Sequence, residues 1–232
     1  MSSTAGLKIL NKSFIQETFE NNIPRTKVIF KPNEYLFHQD ANVTGLYLIT
    51  SGIVKIIKCI SPNKESILSL LKSGDFIGQQ FIVGSNEYSH SAKAIGNVEA
   101  YFYSKDDVLS LLNTDQALRI QVILLMCDDV EHKETKIADK AFKNLKQLVA
   151  DTLMLLFDEY GHKRMSILDI GITLNDFASL AGISITYLRK VLLTFEQNDL
   201  IEILNKKSVS DAPLRIKIIN KSGLRHLEYD QF

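Results

Sequence analysis

Hydrophobic residues follow two rhythms along this 232-residue chain. Across residues 26–103 they come in short runs, at 28–30, 35–37, 46–49, 53–57, 67–71, 76–77 and 100–103. Turn formers separate them in Lys31-Pro-Asn, Ser51-Gly, Ser61-Pro-Asn, Ser73-Gly-Asp and Gly84-Ser-Asn. Such runs predict many short antiparallel strands, closed into a small barrel or roll. The period then lengthens. Ile120, Ile123, Cys127, Val130, Ile137 and Ala141 recur at steps of three and four, Glu134 being the polar member of the series. This predicts one helix over residues 116–141 carrying a narrow apolar seam.

At about 1.5 Å per residue that helix runs roughly 40 Å, more than a small domain needs to cover. Such a seam commonly meets its own copy across a two-fold axis, which makes Ile120, Ile123, Cys127, Val130 and Ile137 candidate dimer residues. The alternative is a helix packed wholly on its own barrel through the apolar cluster at 124–126. A second helix is predicted over residues 145–160, ending at Gly161.

The segment from Thr173 to Phe195 is the most informative. Thr173 can cap a helix whose third residue, Asp176, completes a capping box, and Phe177, Ala178 and Ala181 give that helix an apolar face. Gly182 suits a left-handed helix end, Ile183 fills the turn, and Ser184 can cap a second helix. Leu188, Val191, Leu192 and Phe195 then form the face that holds the pair together. Two helices joined this tightly read as a helix-turn-helix. Ile185, Thr186, Tyr187, Arg189 and Lys190 fall at the N-terminal end of the second helix, where such a unit contacts the major groove.

Arg189 has the donor fork for guanine, Thr186 can bond bases or phosphate, and Ile185 can touch a thymine methyl. Ser184 and Lys190 suit phosphates, and Thr173 is included with them as a candidate DNA contact. Residues 200–204 and 214–219 read as a β-hairpin with Lys206 and Lys207 near its tip, as expected of a wing along the DNA backbone. An ordinary helical hairpin with merely solvated outward residues is the competing reading of the motif alone.

Composition narrows the field. Hydrophobic residues make up 45% and charged residues 23%, the balance of a globular protein. Lys plus Arg and Asp plus Glu both number 27, so any phosphate contact must come from a local patch. The only cysteines, Cys59 and Cys127, cannot form a disulfide framework or a four-thiolate site within one chain. No apolar stretch is long enough to span a bilayer, and no signal-peptide pattern opens the chain, so a cytoplasmic location without membrane contact is expected. No nucleophile set, phosphate-binding glycine loop, metal-ligand cluster or carboxylate pair suggests an enzyme.

A strand-rich roll, a long dimer-type helix and a C-terminal winged helix-turn-helix, in that order, resemble the Crp/Fnr family of transcription regulators. The resemblance covers residues 26–219. It is carried by Asn42-Val-Thr-Gly-Leu-Tyr-Leu-Ile-Thr-Ser-Gly-Ile-Val-Lys-Ile and Lys72-Ser-Gly-Asp-Phe-Ile-Gly as well as by the helix-turn-helix. It implies an α+β fold: a β-roll like a cyclic-nucleotide-binding jelly roll over residues 1–114, a dimerisation helix over 115–142, and a winged helix-turn-helix over 143–232. It further implies a homodimer on double-stranded DNA at a palindromic operator, with RNA polymerase a further candidate partner.

The effector pocket implied by the resemblance would involve Gly78, Gln79, His90 and Ser91. Cyclic-nucleotide-binding members carry a glutamate after the Phe-Ile-Gly segment and an arginine–serine pair farther on. Here Gln79 and Ser89-His90-Ser91-Ala92 stand in those places. Without the arginine a buried cyclic phosphate loses its bidentate counter-charge, so cyclic AMP and cyclic GMP are not expected. His90 reads as structural. The cysteines of iron–sulfur members are missing near the N-terminus, and His38, His90 and His132 give only a weak haem-ligand signal. Neither a resident cofactor nor a metal is expected. Cys127, on the seam, is a minor candidate for an intersubunit disulfide. The competing reading of the whole chain is a ligand-binding or protein-interaction module without sequence-specific DNA binding.

Overall fold

The computed structural model describes residues 11–61, 64–205 and 212–227, without the side chains of Lys64, Val83, Lys136 and residues 139–142. Two compact units are present, one formed by residues up to 54 with 71–135, the other by 55–70 with 136 onward.

The first unit opens on α1 (Lys12–Asn22), capped by the Asn11 side chain, which accepts from Phe14 N at 3.0 Å. This helix buries only Ile15 and Phe19. Those two suffice to anchor it, because the Phe19 ring lies 5.5 Å from Phe76 and 5.3 Å from Tyr103, centroid to centroid. The strands as far as Ser104 are β1 (Thr26–Phe30), β2 (Tyr35–Phe37), β3 (Gly45–Ser51), β4 (Ile53–Ser61), β5 (Lys64–Lys72), β6 (Phe76–Ile77), β7 (Ser91–Ala94) and β8 (Val98–Ser104), residues 55–70 of β4 and β5 being assigned to the second unit. They form two four-stranded sheets, ordered β1-β8-β3-β6 and β2-β7-β4-β5. The pairings β1–β8, β3–β8, β3–β6 and β2–β7 are antiparallel, as a roll requires.

Helices α2 (Gln79–Gly84) and α3 (Lys105–Thr114) belong to the same unit. Ser104 caps α3, and Asp106 and Asp107 complement the positive end of its dipole. Next comes α4 (Gln116–Phe142), the long helix expected from the seam. Leu118, Val122 and Leu125 turn inward and are buried. Ile123, Val130 and Ile137 point outward, 53%, 53% and 69% exposed. Cys127 is exposed beside them and Ile120 is half-buried. The Ala141 side chain lies outside those described.

In the second unit α5 (Leu145–Tyr160) begins at a capping box between Asn144 and Gln147 and buries Leu148, Val149, Leu153 and Phe157. Gly161 ends it in an extended conformation, φ −77°, where an added Cβ would meet the Phe157 ring at 2.6 Å. Strand β9 (Ile167–Thr173), helices α6 (Leu174–Ala181) and α7 (Ile185–Gln197), strands β10 (Ile201–Ile203) and β11 (Pro213–Ile218), and the short α8 (Lys221–Arg225) follow. The strands form a sheet ordered β10-β11-β9, so the hairpin expected near the C-terminus is extended by a third strand.

Phe19→Ala removes the larger of the two anchors of α1 and should cost about 3–5 kcal/mol, read as a lower midpoint in denaturant unfolding followed by fluorescence or circular dichroism.

Candidate nucleic-acid interface

Each turn of the helix-turn-helix is fixed by local chemistry. Thr173 Oγ1 accepts from Asp176 N at 3.0 Å, while Asp176 Oδ2 accepts from Thr173 N at 3.0 Å, the reciprocal pair that starts α6. Gly182 ends α6 at φ 73°, ψ 32°, a conformation that disfavours any side chain. Ile183 N then donates to Ala178 O at 3.0 Å, and the Ser184 hydroxyl accepts from Tyr187 N at 3.3 Å to start α7. Phe177, Ala178, Ala181, Leu188, Val191, Leu192 and Phe195 are buried between the two helices and their surroundings.

The outward side of α7 divides by exposure. Ser184, Thr186, Arg189 and Lys190 are exposed, whereas Ile185 and Tyr187 are half-buried and offer only part of their surface. Thr173 is also half-buried, and its hydroxyl already serves the cap. Arg189 and Lys190 make no side-chain hydrogen bond or ion pair with any described residue.

Several other cations of this unit are engaged. Lys143 pairs with Asp151 at 2.7 Å, Arg215 with Asp169 at 2.8 Å, Lys217 with Glu202 at 3.4 Å, and Arg225 with Asp158 at 2.8 Å. Arg189 and Lys190 instead leave uncompensated positive charge on the first two turns of a 13-residue helix, where the dipole adds to it. At the wing, Asn205 ties the two strands by donating to Pro213 O and accepting from Arg215 N at 3.1 Å. Lys206 and Lys207 lie outside the described residues.

The candidate effector segment lies in the first unit. Gly78 is the left-handed residue, φ 95°, that starts α2. Gln79 Nε2 donates to Asp129 Oδ2 on α4 at 3.1 Å, while Gln79 Oε1 is buried with no partner among the described residues. His90 is buried, with its ring 6.0 Å from Phe37 and 5.0 Å from Phe81, and its Nδ1 lies 3.5 Å from Gln80 Nε2. The Ser91 hydroxyl accepts from Gln39 N at 2.8 Å. Tyr88 stacks on Phe37 at 3.8 Å and donates its hydroxyl to Gly45 O at 2.8 Å. Burial, with a smaller contribution from Tyr88, pushes the Tyr47 hydroxyl up to about 12. Aromatic rings thus occupy much of this side of the roll. Sequence spacing alone missed the packing of Phe37, Phe81 and Tyr88 around His90.

Among the described residues, no group of three or more His, Cys, Asp or Glu side chains is placed to hold a metal ion, and no single helix is long and apolar enough to cross a membrane.

Residues 27–115 match the family model of the cyclic nucleotide-binding domain. The anaerobic regulatory protein of Bacillus subtilis is 25% identical over 181 residues, covering 77% of this chain and 76% of that protein. The cAMP-activated global transcriptional regulator CRP of Escherichia coli O157:H7 is 27% identical over 180 residues, 75% of this chain and 84% of that one. Among solved structures, FixK2 from Bradyrhizobium japonicum superposes with a TM-score of 0.75 at 14% identity, over 90% of this chain and 100% of that one. A CRP/FNR-family regulator from Thermus thermophilus gives 0.70 at 18% identity, over 87% and 97%. The resemblance read from the sequence therefore holds: the fold is that of Crp/Fnr regulators, and the relatives are transcription regulators of that kind.

Gln79→Glu places a second carboxylate against Asp129 and should destabilise the protein by about 1–3 kcal/mol at neutral pH. Mutual repulsion raises the folded-state carboxyl above its unfolded value, so the deficit shrinks on acidification through the carboxylate range. Adding Asp129→Asn should restore stability at neutral pH, as thermal unfolding of the single and double variants would report.

Proposed function

We propose that the chain is a transcription regulator that binds a palindromic operator as a homodimer, inserting α7 of each subunit into successive major grooves. The observation that carries this reading is the pair of exposed, uncompensated cations Arg189 and Lys190 at the start of α7. Arg189 reads a base, with Thr186 and the accessible parts of Ile185 and Tyr187 beside it. Lys190, Ser184 and the helix N-terminus hold phosphates, and the wing with Lys206 and Lys207 follows the backbone. The outward stripe of α4 supports the homodimer, since its aliphatic side chains are otherwise left in water. We assign the chain no catalytic step, place it in the cytoplasm, and keep RNA polymerase as a candidate partner.

An effector other than a cyclic nucleotide fits the chain better than cyclic AMP. His90 stands where a cyclic phosphate needs a guanidinium, and its ring is packed among aromatic side chains instead of being presented to an anion.

Selection of bound fragments from genomic DNA tests the reading. A two-fold symmetric motif with half-sites about one helical turn apart is expected; recovery of DNA without sequence enrichment would favour an interaction module. Arg189→Ala should relax preference at one base position by about 1–3 kcal/mol, whereas Lys190→Ala should weaken all sequences alike and lower the salt slope by about one. Equal, sequence-blind losses from both would remove Arg189 from the reading set. Ile123→Glu with Val130→Glu should convert the protein to single subunits in sedimentation experiments and abolish binding to the full palindrome.

A further inference from the structure

Within the second unit, α8 and the turn before β9 border a cleft of about 560 Å³, the size of a small-molecule site. Lys221 and Arg225 are four residues apart, share one side of α8 and both line it. Lys221 Nζ stands 4.3 Å over the centre of the buried Phe157 ring, which positions the charge without neutralising it. It pairs with no carboxylate among the described residues. Arg225 gives one arm of its fork to Asp158 Oδ2 at 2.8 Å, and the rest of the fork bonds no described residue. The His226 ring, in the same wall, bonds none either. Neutral groups complete the lining. Asn220 Oδ1 accepts from Gly223 N at 2.8 Å and from Ser222 Oγ at 3.0 Å, which fixes the amide and leaves its Nδ2 without an acceptor among the described residues. Ser166 O accepts from Ile218 N at 2.7 Å, while the Ser166 hydroxyl has no described partner.

We propose that this cleft binds a small organic phosphate of the sugar-monophosphate type. Lys221, Arg225 and His226 hold the phosphate, and Ser166, Asn220 and Ser222 bond the hydroxyls of its body. Two fixed cations face one carboxylate, so a surplus positive charge awaits an anion, and a point charge beside a planar fork suits the several oxygens of a phosphoryl group. The cleft is larger than inorganic phosphate fills. An apolar occupant would desolvate the uncommitted amide and hydroxyl, whereas a hydroxyl-rich one bonds them. The half-exposed Ile219 supplies an apolar edge for its carbon skeleton. The cleft is separate from the surface assigned to DNA. Leu200, just past the end of α7, accepts from Ile219 N and Asn220 N at 3.0 and 3.1 Å, so the 13 residues of α7 put the cleft about 20 Å from the Ser184 end. β11 agrees, its 6 residues running about 20 Å from Pro213 on the wing side to Ile218 at the cleft. The occupant is therefore a ligand of this unit and not an operator phosphate, and its binding requires no DNA.

The test titrates the full chain, in phosphate-free buffer, with glycerol 3-phosphate, ribose 5-phosphate and glucose 6-phosphate, and with inorganic phosphate and ribose as controls. Calorimetry reads affinity and backbone amide shifts read location. At least one of the three esters should bind at one site per chain, with shifts gathered at residues 157–166 and 218–227. Inorganic phosphate should bind about tenfold more weakly and ribose should not bind. Lys221→Gln should weaken the ester about tenfold, and Lys221→Arg should stay near the parent. Asn220→Asp keeps the acceptor for Gly223 N but sets a carboxylate against the phosphate, so it should weaken the ester at least as much without removing a cation. Arg189→Ala, at the far end of α7, should leave the titration unchanged. Failure of all three esters would overturn the proposal, as would full-strength binding by Asn220→Asp. Equal affinity for inorganic phosphate would reduce the cleft to a simple anion contact and overturn it too. Shifts gathered at residues 184–190, or a loss in Arg189→Ala, would put the phosphate on the DNA face instead. A protein that ignores every duplex yet binds the ester would end the DNA-binding reading and leave this site standing.

Discussion

A helix with apolar side chains on two sides cannot satisfy both from within its own roll, and α4 is such a helix. Leu118, Val122 and Leu125 are buried inside the first unit, whereas Ile123, Val130 and Ile137 are exposed. The two sets interleave along the chain but diverge around the axis, so no rotation buries both on one surface. Full burial of an aliphatic side chain is worth about 1.5–3 kcal/mol, and the outward set gains it only against another apolar surface. A second copy of α4 offers the same stripe in a self-complementary arrangement. In the proposed dimer, the paired helix-turn-helix units and the two-fold operator follow from covering that stripe.

Zero net charge sets a second constraint, which the second unit meets by cancellation. Surface pairs such as Arg215–Asp169 and Arg225–Asp158 contribute little to stability. They subtract from the field around the unit and leave Arg189 and Lys190 at a helix N-terminus as a positive focus. A chain neutral in sum can therefore still attract a phosphate backbone, because attraction depends on where charge is left uncompensated.

The parts of the fold that were legible in the sequence are those with strong periodicity or strict local chemistry. The seam located α4 to within a residue, and Thr173, Gly182 and Ser184 located both helices of the helix-turn-helix, because caps and a left-handed glycine leave few alternatives. The missed elements lack either signal. α1 has only two buried anchors in eleven residues, and β7 reads Ser-Ala-Lys-Ala, small side chains buried by neighbours rather than by their own hydrophobicity. β9 contains Asp169 and a left-handed Gly171, which disguise a strand paired to β11. At the candidate site, the exposure of Ser184, Thr186, Arg189 and Lys190 on α7 was legible from helical spacing. The aromatic packing around His90 and the turn of Gln79 toward α4 depend on contacts distant in sequence, which spacing cannot express.

Asp176 shows how one carboxylate can join local and long-range order. A Glu at the same helical position would close the capping box with a longer arm; the short Asp holds Oδ2 on Thr173 N and leaves Oδ1 directed at Lys55. A poorly exposed ion pair of this kind adds little net stability compared with a well-packed apolar contact, yet breaking it by removing one partner is costly. Its contribution is thus to select one arrangement over its neighbours. Asp129 plays a parallel part in the first unit, accepting from Gln79 where the roll's α2 meets α4. Apolar contacts tolerate sliding by an ångström, whereas a hydrogen bond near 3 Å does not. Each carboxylate therefore fixes the spacing of the elements it joins more sharply than the apolar contacts around it.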